Sequence, residues 1–399
     1  MALQLHNSFT PAPLSGEEEK LSVYALGLLA VTILLLSFGL TMLYSASFST
    51  SGISFFKKQL IWISAGVAGG LCVFAVGYKR ICNYRGLLLF ICWGLLIAAL
   101  FFEPVKGARR WIKFGLPVLG EVSLQPSELT KIVMCLFTAG YCAEFSRFFY
   151  KLRHAKGLLP LCFYIVVTAG LIWAGKDMGT TLLVIVTAGA IMIAAGLPLR
   201  YALAGSVMAL GYFGWKVLNN PERLSRVTAI FDPTKDTLGE GYQLYRSLIA
   251  LGSGGWFGLG LGQSRLKNNY LPEPHTDFIL SVVGEELGLV AIWLVILLYV
   301  LWGFFAVNIA VRAHSRLGML LAFGAAIAVQ LQAFINLAVV TGSIPTKGMP
   351  APFISYGGSN VMCSILAVAL LLSVAMETLH PGYSDAWRES FFRKFRRSK

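Results

Sequence analysis

The chain has 399 residues, 56% of them hydrophobic and 13% charged, with a mean hydropathy of +0.70. That is too little charge to cover the surface of a water-soluble protein of this size, so a soluble globular enzyme is excluded. The net charge of +14 has no soluble basic domain to carry it onto nucleic acid; Lys and Arg retained in the cytoplasmic loops of a membrane protein account for it instead.

Residues 1–20 form a short N-terminal tail with Glu17, Glu18 and Glu19, and the apolar run behind it is too long for a cleavable signal. A hydrocarbon core of roughly 30 Å needs about 20 apolar residues per helix. Runs of that kind predict helices near 21–45, 58–77, 85–102, 124–144, 157–174, 179–196, 199–218, 277–305, 317–341 and 353–378. The fold class is thus an all-α integral membrane protein of about ten transmembrane helices. A large extracytoplasmic loop, 219–276, joins helices 7 and 8. The polytopic domain spans 21–378, and a basic C-terminal tail, 379–399, follows it.

Ten spans put both termini on one side. The short loops and tails on that side hold seventeen Lys and Arg against eight on the other, which places the termini in the cytoplasm. Seven cysteines lie in or beside apolar runs with no C-x-x-C spacing; they read as free thiols rather than disulfides or metal ligands.

Ionisable groups inside a span are costly and usually functional. The outer loop 103–123 carries Arg109 and Arg110 beside Trp111, an interfacial pattern. In QPSELTK, residues 125–131, Glu128 and Lys131 are three apart and share a helix face. They read either as a structural ion pair or as a cation that holds a phosphate with an acid to orient it. Asp177 in KDMGTT opens a helix as an N-cap or first-turn acid, a structural role. Residues 248–262, LIALGSGGWFGLGLG, are too broken by glycine for a spanning helix and suit re-entrant or interfacial structure.

Asp277 stands in YLPEPHTDFI at the head of the eighth helix, with Glu273 and His275 beside it. It reads as a capping or dipole-complementing acid, or as a general base at the mouth of an outer cavity. His275 is a second acid/base candidate or a loop-ordering residue. Glu285 and Glu286 in GEELG point to different faces and suit hydrogen bonding to a neighbouring helix, with Gly284 and Gly288 permitting close contact. Lys347 lies in a bent loop, IPTKGMPAPFISYGGSN, as a cavity-lining phosphate ligand. No Walker motif, GxGxxG or nucleophile elbow occurs, so ATP-driven transport has no support.

These segments, with GLTMLYSAS at 39–47, GARRWIKFG at 107–115 and GYQLYRSLIALGSGG at 241–255, together resemble the SEDS family (shape, elongation, division and sporulation). They run in the family's order over nearly the whole chain. Gly284 before the Glu pair and the PTKG form around Lys347 resemble the division-type FtsW branch more than the elongation-type RodA branch. Two positions depart from the pattern: Lys176 replaces a proline and Asn360 a serine.

The resemblance implies a peptidoglycan glycosyltransferase in the bacterial cytoplasmic membrane, at the division septum, polymerising lipid II at the outer face. Asp277 matches the family's essential aspartate, and Glu128 and Lys131 match positions important for activity. The undecaprenyl pyrophosphate leaving group then needs positive charge, for which Lys131, Lys347, Arg109, Arg110 and Arg246 are candidates, or a divalent cation (Mg or Mn). The implied partners are lipid II, a class B penicillin-binding protein and other membrane proteins of the divisome. A lipid II flippase is the alternative.

Overall fold

The computed structural model of the chain describes residues 16–105, 107–116, 120–149, 154, 156–231, 241–264, 275–345 and 348–385. Its helices are α1 (Gly16–Ser51), α2 (Ser54–Val76), a short α3 (Tyr78–Asn83), α4 (Arg85–Leu100), α5 (Pro126–Phe145), α6 (Leu158–Ala174) and α7 (Met178–Ala194). They continue with α8 (Leu199–Leu218), α9 (Pro221–Phe231), α10 (Tyr242–Gly254), α11 (Ile279–Arg312), α12 (Arg316–Val340) and α13 (Gly358–Leu379). Each of the ten predicted helices has its counterpart among them.

One feature departs from an all-helical reading: residues 103–124 contain an antiparallel hairpin, β1 (Ile112–Leu116) with β2 (Gly120–Leu124), in which Phe114 pairs with Val122. The long loop 219–276 contains α9 and α10. Helix ten also starts later than predicted: residues 348–357 are not helical, and Phe353 sits at φ +67.

Among the described residues five helices are long and apolar enough to cross a membrane: α1, α2, α11, α12 and α13; α4, α6 and α7 are shorter apolar helices. Their outward faces carry Leu26, Ile33, Leu71, Phe90, Val166 and Trp293, all exposed. An apolar surface of that extent suits lipid, not water. The centre of the bundle is α5, buried almost along its length, packed against α4, α7 and α12. Around it α13 packs on α2, and α11 on α1 and α12. At the end of the bundle remote from the α13 N-terminus, Lys79 pairs with Glu377 at 2.7 Å, and Arg85 pairs with Glu144.

The α11 helix breaks at Gly288, whose φ of +77 and ψ of −174 interrupt the ladder. A residue with a Cβ would be strained there and would meet the Trp256 carbonyl. The backbone groups near the break are satisfied by the segment that follows α10. Leu259 N donates to Glu285 O at 2.9 Å and Gly260 N to Glu286 O at 3.0 Å; Leu289 N donates to Gly255 O at 2.9 Å. The glycine-rich stretch 248–262 is therefore half helix and half an irregular strap of turns along the break. Close approach at Gly284 is to Gly254 of α10.

Candidate functional site

Asp277 lies in a turn, residues 275–278, and α11 begins only at Ile279 with Phe278 at its N-cap. The capping role open to Asp277 on the sequence is thus taken by a residue with no side-chain acceptor. The same turn is fixed from both sides. The His275 ring lies 4.2 Å from that of Phe55 and 5.8 Å from that of Tyr356, and its carbonyl accepts from Tyr356 N at 2.9 Å. This geometry suits a loop-ordering role for His275. Glu273 and Lys347 lie outside the described residues.

The Asp277 carboxylate rests on Gly348. A Cβ at position 348 would stand 2.9 Å from Asp277 Oδ2 and 4.0 Å from Arg110 Nη2. A carboxylate and a guanidinium therefore flank one bare patch of backbone. Arg110 also approaches a second acid: its Nη1 is 3.8 Å from Asp177 Oδ1. Asp177 is the N-cap of α7, accepting from Thr180 N at 3.2 Å, and it is 3% exposed. Its other oxygen accepts from Gln125 Nε2 and Ser127 Oγ, each at 2.7 Å. Three hydrogen bonds hold this carboxylate in place beside Arg110.

Next to this pair is a small recess lined by Arg109, Arg110, Ser127 and Asp177 and by apolar residues of α4 and α6. Arg109 Nη1 donates to Leu100 O at 3.3 Å. The recess thus sets Arg109 and Arg110 beside the Asp177 carboxylate and an apolar wall.

Glu128 and Lys131 form a buried ion pair at 2.8 Å, 4% and 3% exposed. Lys131 Nζ also donates to Gln332 Oε1 at 2.6 Å, and Asn360 Nδ2 donates to Glu128 Oε2 at 2.9 Å. Gln332 Nε2 in turn donates to Pro350 O at 2.9 Å. Through Gln332, Lys131 is thus linked to the loop before α13. Arg246 lies on α10 with its guanidinium 5.3 Å from the Tyr242 ring.

Glu285 and Glu286 do not diverge as their spacing in a regular helix predicts. Both carboxylates meet Ser264, Glu285 through the hydroxyl and Glu286 through the backbone N at 3.2 Å; Glu286 also accepts from Ser45 of α1 at 2.5 Å. They serve packing of the strap, as expected of structural hydrogen bonding.

The residues that reasoning from sequence missed are the amides Gln125, Gln332 and Asn336, and the contact of Asn360 with Glu128. Gln332 and Asn336 stand one turn apart in the apolar run of α12, and a polar amide in a span carries a signal of its own.

Fold and site together define a multi-pass α-helical membrane protein with a buried polar centre between its helix ends. Comparison with known proteins places it further. The family described as "Cell cycle protein" (FTSW_RODA_SPOVE) matches residues 25–380. A "Probable peptidoglycan glycosyltransferase FtsW" of Trichlorobacter lovleyi is 37% identical over 365 residues, 89% of this chain and 94% of its own. "Stage V sporulation protein E" of Bacillus subtilis is 36% identical over 87% of this chain and 96% of its own. The chain belongs to the FtsW/RodA/SpoVE family, the SEDS proteins that its motifs resemble, and its relatives include many that bear the FtsW name.

Two solved structures share the fold at 23% identity. One is from "Structural coordination of polymerization and crosslinking by a peptidoglycan synthase complex", with a TM-score of 0.73 over 88% of this chain and 97% of that one. The other is the rod shape determining protein RodA of Thermus thermophilus, with a TM-score of 0.64 over 88% and 96%.

Proposed function

We propose that the chain is a peptidoglycan glycosyltransferase that polymerises lipid II at the outer face of the bacterial cytoplasmic membrane during division. Family membership and the names of the relatives support the activity. The single observation that carries the mechanism is the placement of Asp277 and Arg110 on either side of Gly348. In this reading the ten matched helices all span the membrane, the loop 219–276 lies outside, and residues 1–20 and 379–399 lie in the cytoplasm. The division-type names of its relatives support a position at the septum.

The acceptor lipid II presents the 4-hydroxyl of its GlcNAc to Asp277. The carboxylate takes the proton as the hydroxyl oxygen bonds to the anomeric carbon of the donor MurNAc. The bond from that carbon to the pyrophosphate oxygen breaks, its electron pair stays on the leaving undecaprenyl pyrophosphate, and one displacement inverts the centre. Arg110 and Arg109 face that negative charge from the recess, with Lys347 and Arg246 as further cations of the outer side. Glu128, Lys131 and His275 support the loops that carry this chemistry.

Among the described residues no three His, Cys, Asp or Glu side chains come together as a metal cradle. The chain's own cations, Arg109 and Arg110, supply positive charge to the step, and a divalent cation, Mg or Mn, would add to it on the pyrophosphate if bound. A class B penicillin-binding protein is the proposed partner, since one structural relative comes from a peptidoglycan synthase complex; other membrane proteins of the divisome would join it.

The deciding experiment gives purified protein, with its partner transpeptidase, lipid II in liposomes. Glycan polymer supports the proposal. Movement of lipid II across the bilayer without polymer would establish a flippase instead.

A further inference from the structure

Gln332 and Asn336 are four residues apart on α12, so their side chains leave the same face of the helix. Both end in amides, and both donate into the loop before α13: Gln332 to Pro350 O at 2.9 Å and Asn336 to Met349 O at 2.7 Å. Asn336 does one thing more. Its Nδ2 also donates to the backbone carbonyl of Asp277 at 2.9 Å. One amide nitrogen therefore fastens the turn that carries Asp277 to the residue that follows Gly348, the surface on which the Asp277 carboxylate rests.

The orientation of this amide is settled by its neighbours. Both partners are carbonyl oxygens, which only accept, so the nitrogen has to face them. The oxygen is left over: Asn336 is 1% exposed and its Oδ1 has no hydrogen-bond partner. A buried acceptor without a donor is a cost to stability. The residue makes sense as a double donor held at one point. A carboxylate of the same size would oppose the two carbonyls, and an apolar side chain would release them.

We propose that Asn336 is the positioning residue for Asp277: by holding Asp277 O and Met349 O together it fixes the distance between the carboxylate, the Gly348 surface and Arg110. Gln332 extends the same hold to the Glu128–Lys131 pair, because its Oε1 accepts from Lys131 at 2.6 Å. The ion pair, 201 positions away in the chain from Gln332, thereby acts on the site through α12 without touching substrate.

The proposal rests on Asp277 being the base, so its test has one arm that needs no activity. In the first arm Asn336→Leu and Asn336→Asp are compared with wild-type protein in lipid II polymerisation. Loss of the hold displaces the carboxylate, and kcat falls about 10²-fold while KM stays within about threefold. Leu321→Ala, buried on α12 away from the site, is the control for stability; it keeps its kcat at an equal fall in Tm.

In the second arm a single cysteine replaces Asp277 in a background without the seven native cysteines. Its rate of modification by a small charged thiol reagent rises at least about tenfold when Asn336→Leu is added, because local opening of the turn is no longer restrained. Unchanged kcat in a folded Asn336→Leu protein, a kcat loss matched by Leu321→Ala, or an unchanged modification rate each overturns the proposal. If wild-type protein makes no polymer, the functional reading falls and the cysteine arm still decides the positioning role.

Discussion

Asn360 donates its side-chain amide to Glu128 Oε2 at 2.9 Å, and both residues are buried. The position is one of the two at which the chain departs from the family pattern, where a serine is usual. The departure therefore supplies a donor to an ion pair at the centre of the bundle. A hydrogen bond to a charged group is worth about 1.5–3 kcal/mol. Asn360→Ser shortens the side chain and withdraws that donor. The expected outcome is a lower Tm and a partial loss of polymerisation. A variant with unchanged Tm and activity would show that Glu128 is satisfied by Lys131 alone.

Glu128 and Lys131 form the second test. Each charge is buried and held mainly by the other. Removing one partner of such a pair strands the other, at a cost of roughly 3–5 kcal/mol. Glu128→Gln and Lys131→Met are each expected to be strongly harmful, and the double variant to be no worse than the worse single one. A double-mutant cycle on Tm and on activity checks this. Additive losses would sink the idea that the two act as a unit.

Much of this arrangement could be read from the sequence, and the part that could not has a physical cause. The spans were legible because hydrocarbon thickness sets a run length that α2, α12 and α13 display openly. The Glu128–Lys131 pair was legible because three residues make a helix-face spacing. The break at Gly288 was not: GEELG reads as helix until the strap at 255–260 supplies its backbone partners. The joining of Lys131 to Gln332 was also hidden, since 201 positions separate them. Lys176 shows the same limit at one residue. It sits at φ +62, a conformation closed to the proline that the family carries there. Sequence marked the departure but not that the turn before Asp177 takes a different shape.

Gly348 separates stability from chemistry. A Cβ there would come within 2.9 Å of Asp277 Oδ2, the mobile end of a side chain and not backbone. The carboxylate can give way, so Gly348→Ala is expected to fold with a Tm close to that of the wild type. The displaced carboxylate loses its place beside Arg110, and polymerisation is expected to fall about tenfold to a hundredfold, as near-attack geometry demands. Thermal melting and lipid II polymerisation measured on one preparation check it. Full activity would mean that the carboxylate does not need the Gly348 surface.

Asp277 itself is the residue on which the mechanism stands. It is placed in a turn ahead of α11, outside the N-cap position, so helix capping does not account for it. Its backbone is held by Asn336 and its carboxylate lies on bare backbone near a guanidinium. Asp277→Asn keeps size and most hydrogen bonding but cannot accept the proton. Loss of a general base typically lowers the rate by about 10²–10⁴. Asp277→Glu moves the carboxylate by about one bond length and is expected to be nearly as poor, because the reacting atoms need fixed geometry. A capping or dipole role predicts otherwise: a change of about 1 kcal/mol in stability with turnover largely intact. Asp277→Asn is therefore to be purified, shown to be folded and to retain its partner, and assayed with lipid II. Near-normal polymer from that protein would remove Asp277 from the mechanism and return transport of lipid II as the leading explanation of the recess.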